Sequence, residues 1–299
     1  MTHDFRCTTA SREAPEPMAG TAPTERAWLC VEHPGAWGRN ALAESRLPAT
    51  VRERLTDLAG VRVLLIRRHG GRAGSGVRVF AGWLGPGEPW VETAVLDDVV
   101  ELLDLDLAGL ATGRRPGLAA YDARLWLVCT NGRRDRCCAE IGRPVTAALA
   151  ERWPEETWET THLGGHRFAG TLLALPSGVC LGRLDAETAV ECCQEIEAGR
   201  HPVAHSRGRA GLPAPAQVAG LAVHAATGEQ ALGAVQIDHP TGSPMTGSPM
   251  TGTVTGRVGS RPWQVEVVIE TVGERRQSCA DLKLKATTAH RAVRVVVGD

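Results

Sequence analysis

The chain has 299 residues, of which 43% are hydrophobic and 22% charged, and a formal net charge of −1. That length allows two domains or three small ones, the composition argues against wholesale disorder, and the near-neutral balance gives no pull toward nucleic acid or an anionic membrane. All but two of the 33 basic residues are arginine, the exceptions being Lys283 and Lys285, a skew we read as base composition and not as function.

Residues 1–24 are polar, rich in Pro, Gly and Thr, and without period, so a disordered tail is expected there. A folded pattern follows over 25–118: a buried strand at 26–31, a helix at 47–58, strands at 61–66 and 77–84, and a helix at 96–103. The order then returns over 119–205. A strand at 125–129 leads to a helix at 142–152 opening on Arg143-Pro144, strands at 168–175 and 179–184, and a helix at 187–198. Trp28-Leu29 reappears as Trp126-Leu127, and the V-x-x-G-x-L of Val79 to Leu84 as Val179 to Leu184, each about a hundred positions later, which points to a duplicated β-α-β-β-α unit.

A Gly, Pro, Arg and His-rich connector then opens a C-terminal α/β region, 206–299, with a helix at 216–226 and strands at 252–257, 264–271, 281–285 and 292–297. Within it TGSPMTGSPMTG, residues 241–252, has nothing to bury and is expected as a mobile loop. No run approaches the ~20 apolar residues that span a bilayer, and the N-terminus lacks a charged start followed by an apolar stretch, so a cytoplasmic protein with no membrane partner is expected.

Nine cysteines, including the adjacent pairs Cys137/Cys138 and Cys192/Cys193, suit metal or redox chemistry better than an extracellular disulfide framework. Two segments stand out. CTNGRRDRCC runs from Cys129, at a strand end, to Cys138; THLGGHRFAG carries His162 and His166 four apart, with Gly164-Gly165 between them arguing for a loop over a helix. Two thiolates and two imidazoles suit a tetrahedral zinc or a 2Fe-2S cluster. The histidine spacing lacks the glutamate of a zinc protease, since position 163 is leucine. On spacing alone a structural zinc site and ordinary buried residues remain open, as does the choice between Cys137 and Cys138.

CTNGRRDRCC followed by an Arg-Pro helix and HLGGHRFAGTLLALPSGVCLGRL, together with WLCVEHPGAWGRNAL nearer the N-terminus, resembles the sucrase/ferredoxin-like family. The resemblance covers roughly 26–200. It implies two thioredoxin-like α/β units in tandem, the second a 2Fe-2S ferredoxin with the cluster on Cys129, Cys138, His162 and His166, followed by the small C-terminal region. An electron-transfer protein with an unidentified redox partner is the expectation, with a zinc-stapled binding module or a thiol oxidoreductase using Cys137/Cys138 as alternatives. The first unit carries Val31 and Asn40 where the ligating cysteines stand in the second, and only His69-Gly70-Gly71 in place of the histidine motif, so one cluster per chain is expected. Arg133, Arg134, Arg136, Arg143 and Arg167 gather around the motifs, either as a docking face or as a solvated surface. Cys192 and Cys193 read as core, His201 and His205 as non-ligands, and Cys279 as an isolated thiol.

Overall fold

The computed structural model describes residues 5–71, 74–238 and 250–299. It is mixed α/β. In chain order come α1 (Cys7–Glu13), β1 (Ala27–Glu32), α2 (Ala49–Thr56), β2 (Val61–Arg67), β3 (Val77–Trp83), β4 (Trp90–Leu96), β5 (Ala119–Ala120), β6 (Leu125–Cys129) and α3 (Arg136–Arg152). These are followed by β7 (Thr157–Thr160), β8 (Leu172–Leu175), β9 (Val179–Leu181), α4 (Ala186–Glu197), β10 (Ser206–Arg209), α5 (Ala214–Thr227), β11 (Val235–Ile237), β12 (Met250–Val258), β13 (Arg261–Arg275) and β14 (Lys285–Val297).

The first ten strands form one sheet in the order β10-β9-β8-β6-β7-β2-β1-β3-β4-β5. Its two halves repeat one pattern. In each, two parallel strands are linked through a helix (β1 and β2, β6 and β7), an antiparallel strand lies on the far side of the first (β3, β8), and two more antiparallel strands continue outward. Antiparallel pairing of β2 with β7 joins the halves. Both faces are covered, which is why β1 (AWLCVE) and β6 (LWLVC) are buried at every position and not at alternate ones. Trp28, Cys30, Leu125, Leu127, Phe80 and Trp158 share one inner core between the halves. On the opposite face Leu29 and Val31 pack on α2, and Trp126 and Val128 pack with α3 and α4.

Register corrects both anchors of the repeat. Trp28 and Trp126 lie on corresponding strands but face opposite sides of the sheet, Trp28 in the inner core and Trp126 against α3 and α4; β1 pairs with β3, Trp28 opposite Gly82, where β6 pairs with β8, Trp126 opposite Ala174. The counterpart of β3 is therefore β8, and the likeness of Val79–Leu84 to Val179–Leu184 relates strands in different places; short apolar runs with one glycine are not distinctive enough to fix register.

Other expectations also shift. The N-terminal segment is not a disordered tail over its described part: α1 buries Cys7, Thr8 and Ser11, and the buried Glu16 pairs with Arg167 at 2.5 Å and Arg275 at 3.7 Å. Paired polar groups hold it down, which a hydropathy reading misses. Residues 1–4 lie outside the described residues. The helix expected at 142–152 begins at Arg136, because Asp135 caps it by accepting from the Cys137 N–H at 3.0 Å; Pro144 lies inside the helix on its exposed side. The 96–103 helix is the last residue of β4 followed by a short 3-10 turn at Val99–Leu103, and β8 starts only at Leu172, after a 3-10 turn at His166–Phe168. The sheet also extends beyond residue 205, through β10.

The C-terminal strands β11-β12-β13-β14 form a separate antiparallel sheet with α5 packed on one face, where Ala216, Ala219 and Val223 meet Val254, Trp263, Val265 and Val267. The strand expected at 281–285 is absent apart from Lys285, which opens β14. Of the loop expected at 241–252, residues 241–249 fall outside the described residues, and 250–252 already belong to β12.

Candidate metal centre

Cys129 ends β6, where the strand runs out toward the next loop, and Cys138 lies in the first turn of α3. Adjacent residues on a helix point about 100° apart, so Cys137 and Cys138 face different neighbours. Cys138 turns toward Cys129. The metal-ligating atoms of Cys129, Cys138 and His162 all lie within 4.8 Å of one another, and both cysteines are buried. Cys137 turns toward Cys7 and Cys279 instead.

The histidines come from the loop after β7. Gly164 and Gly165 both have positive φ, 85° and 66°, and a Cβ on Gly165 would lie 2.5 Å from the Arg207 guanidinium. The double glycine is thus a geometric need, since only glycine adopts this backbone cheaply. It folds the loop so that both rings turn inward. His162 Nδ1 lies 3.9 Å from Cys129 Sγ, while His162 Nε2 lies 3.4 Å from His166 Nδ1. The structure thus brings all four expected residues into one row, Cys138 and Cys129 at one end and His166 at the other.

A second set of contacts fixes the row. His166 Nε2 bonds the Gln277 carbonyl at 2.5 Å. A carbonyl only accepts, so this nitrogen carries the proton and Nδ1 presents its lone pair to the centre. Arg207, fully buried, reaches the Gly164 carbonyl at 3.1 Å, Thr21 Oγ1 at 3.0 Å and the Thr21 carbonyl. Arg62 donates to the His162 carbonyl at 2.8 Å. The C-terminal region and the N-terminal segment therefore both help to shape the loop.

Two of the donors, Cys129 and His166, are held toward the forms that a metal needs. Hydrogen bonding to Cys138 holds the Cys129 thiol well below its ordinary range against the opposing effect of burial, and contact with His162 adds to this; the same bond pushes Cys138 up. Burial, and then the neighbouring His162, lower His166 below 6.5, which keeps its ring neutral. A thiolate and a neutral imidazole are the forms a metal requires.

These donors fit a 2Fe-2S cluster: two sulfurs and two nitrogens, buried or half-buried, with the tautomer of one histidine fixed. His166 stands outside the compact group formed by the other three. A single tetrahedral ion with bonds of 2.0 to 2.3 Å needs all four donors within about 4 Å of one another, so the elongated row suits two metal atoms better than one.

Some of the other residues marked in the sequence lie as expected, and Cys279 and Arg167 do not. Cys279 is not isolated: its Sγ lies 3.2 Å from Cys137 Sγ. Arg167 faces inward onto Glu16, while Arg133, Arg136 and Arg143 are exposed. In the first half His69 bonds Glu159 at 3.0 Å, and Val31 lies in the core behind α2. Cys192 and Cys193 are buried in the core beside α3, and His201 is buried and bonded to Ser206 at 2.8 Å. The sequence signal missed was Cys7 and Asp135, whose partners lie far along the chain.

No helix among the described residues is long and apolar enough to cross a membrane, and all nine cysteines are free thiols. Neither a curated protein nor a solved structure matches the chain. Residues 18–208, nearly two thirds of the chain, match the sucrase/ferredoxin-like family, and by that match the chain belongs to it.

Proposed function

We propose that the chain binds one 2Fe-2S cluster through Cys129, Cys138, His162 and His166 and serves as a one-electron carrier. The observation that carries the reading is the convergence of two thiols and two imidazoles in one row, in a chain belonging to this family. Such a cluster, when bound, supplies reversible one-electron chemistry, and replacing two thiolates by neutral imidazoles favours a potential above that of an all-cysteine cluster.

The protein's own part is orientation, burial and charge. Gln277 holds the His166 ring, Arg207 and Arg62 hold the loop that bears both histidines, and the inner core keeps water from the cysteine end. Arg207 is a cation with no exposed surface, so it favours added negative charge nearby. His162 lines a depression with Arg39, Arg134 and the Arg62–Glu25 ion pair, a net basic approach that suits an acidic redox partner. We read each half of the large sheet as a thioredoxin-like unit, a reading supported by the β2-β1-β3-β4 and β7-β6-β8-β9 orders with their parallel central pairs. Nine free thiols suit a reducing compartment such as the cytoplasm.

The test is anaerobic purification with iron and sulfide analysis and visible absorption before and after dithionite. The proposal expects coloured protein with iron and acid-labile sulfide in equal amounts, bleached on reduction, and loss of colour in Cys138→Ser but not in Cys137→Ser. Colourless protein after reconstitution, or zinc bound in place of iron by these four residues, refutes it.

A further inference from the structure

Behind the candidate centre, on the other side of the Cys137-Cys138 peptide, lies a second convergence of ligand-type atoms. Cys7, Asp135, Cys137 and Cys279 each bring one such atom within 4.8 Å of the other three. Cys137 Sγ lies 3.2 Å from Cys279 Sγ, Cys279 Sγ lies 3.6 Å from Cys7 Sγ, and Cys7 Sγ lies 3.6 Å from Asp135 Oδ1. We propose that these four residues form a second, mononuclear metal site that takes a zinc-like divalent cation and ties three distant parts of the chain together.

Geometry selects the ion. A tetrahedral zinc with Zn–S bonds near 2.3 Å places its sulfurs about 3.8 Å apart, and its carboxylate oxygen slightly closer. The observed separations match that edge after slight inward collapse. They are too short for a larger iron-sulfur cluster, whose metal atoms would stand between the thiols. The donor set, three thiols and one carboxylate, closes all four positions and leaves none for substrate, the mark of a structural zinc site and not a catalytic one.

The surroundings are those of a built site. Asp135 is oriented by two backbone donors, the Cys137 N–H on Oδ1 at 3.0 Å and the Cys279 N–H on Oδ2 at 2.7 Å. The Cys7 N–H approaches Cys279 Sγ at 3.5 Å, and the Thr8 hydroxyl approaches Cys137 Sγ at 3.2 Å. Hydrogen bonds of this kind steady thiolate ligands. Cys7, Asp135 and Cys137 are buried, and Cys279 opens onto a groove lined by Arg39, Arg133, Arg134, Arg136 and Arg276. That groove gives an entry path, and its positive charge balances four anionic donors around one dication. Binding replaces three S–H bonds by three S–metal bonds and releases up to three protons, with no change of oxidation state.

The site is independent of the 2Fe-2S reading, since none of its donors belongs to that row. The experiment is metal analysis of the full-length chain after growth and dialysis with zinc, beside Cys279→Ser, Cys7→Ser and Cys129→Ser. One zinc per chain is expected in the wild type and in Cys129→Ser, and none in Cys279→Ser or Cys7→Ser. Alkylation of the wild type, mapped by mass spectrometry, covers the case in which those variants fail to fold: zinc should protect Cys7, Cys137 and Cys279, and a chelator should remove the protection. Wild-type protein without zinc, zinc lost from Cys129→Ser but kept by Cys279→Ser, thiols alkylated equally with and without the metal, or a Cys137–Cys279 disulfide in protein kept under reductant would each overturn the proposal.

Discussion

Replacing Arg207 by Gln tests how the histidine loop is held. The guanidinium has no exposed surface to speak of, at 1%, and it is the donor to Thr21 Oγ1, to the Thr21 carbonyl and to the Gly164 carbonyl, with Cys180 Sγ at 3.5 Å. A glutamine side chain is too short to serve both carbonyls from the same backbone position. Stripping a buried acceptor of its donor costs about 1–3 kcal/mol, so the two carbonyls set a loss of about 2–6 kcal/mol. Relief from burying a cation, whose pKa burial already lowers, offsets part of this, and the net expectation is about 3 kcal/mol. Urea unfolding followed by tryptophan fluorescence should show a lower midpoint with an unchanged slope. Hydrogen exchange should speed selectively at residues 164–168, because the Gly164 carbonyl is the loop's anchor. A loss below about 1 kcal/mol with unchanged exchange in that loop would refute the argument, since the contacts would then contribute nothing net.

Two further outcomes follow from buried groups. Burial holds His201 at a pKa of about 3 against 6.5 for the free side chain. A folded-state value below the unfolded one means the unfolded chain gains the proton first, so stability is intact above pH 6.5 and is lost as pH falls through the interval toward 3. At about 1.36 kcal/mol per unit, the loss from this residue reaches about 2 kcal/mol by about pH 5; denaturation curves of His201→Gln should lack this component. Gly142→Ala is the second case. Its added Cβ would lie 2.2 Å from the Cys129 carbonyl oxygen, so α3 or the end of β6 must move. Overpacking of that kind costs about 1–3 kcal/mol, and because Cys129 and Cys138 sit on the two elements forced apart, iron content should fall along with the melting temperature.

The candidate row could be read in the sequence because its chemistry is carried by residue types at short spacing: Cys129 and Cys138 share one loop, and His162 and His166 share another. Which of Cys137 and Cys138 faces the row was not legible, since that depends on the helical phase set by the Asp135 cap and by a helix that starts seven residues earlier than Arg143 indicates. The buried strands β1 and β6 were legible from their unbroken apolar runs, whereas the partner of β3 was not, because pairing is decided across the sheet. Cys7 and Cys279 illustrate the limit. They lie 3.6 Å apart in space but at opposite ends of the chain, one in a segment whose composition resembles a tail, and no local pattern relates them. Glu16 escaped notice likewise, its partners being arginines from two other regions.

The short seam between β2 and β7, where Ile66 meets Thr160 and Arg67 meets Glu159, has a consequence for how the molecule can be divided. Cut at residue 118, the half that carries the candidate row would present the open flank of β7 to solvent, unsatisfied amides and carbonyls two residues before His162 and ready to recruit another chain. The first half thus covers an edge that the second would otherwise expose, and expressing the second half alone should give sticky, self-associating material where the full-length chain stays dispersed.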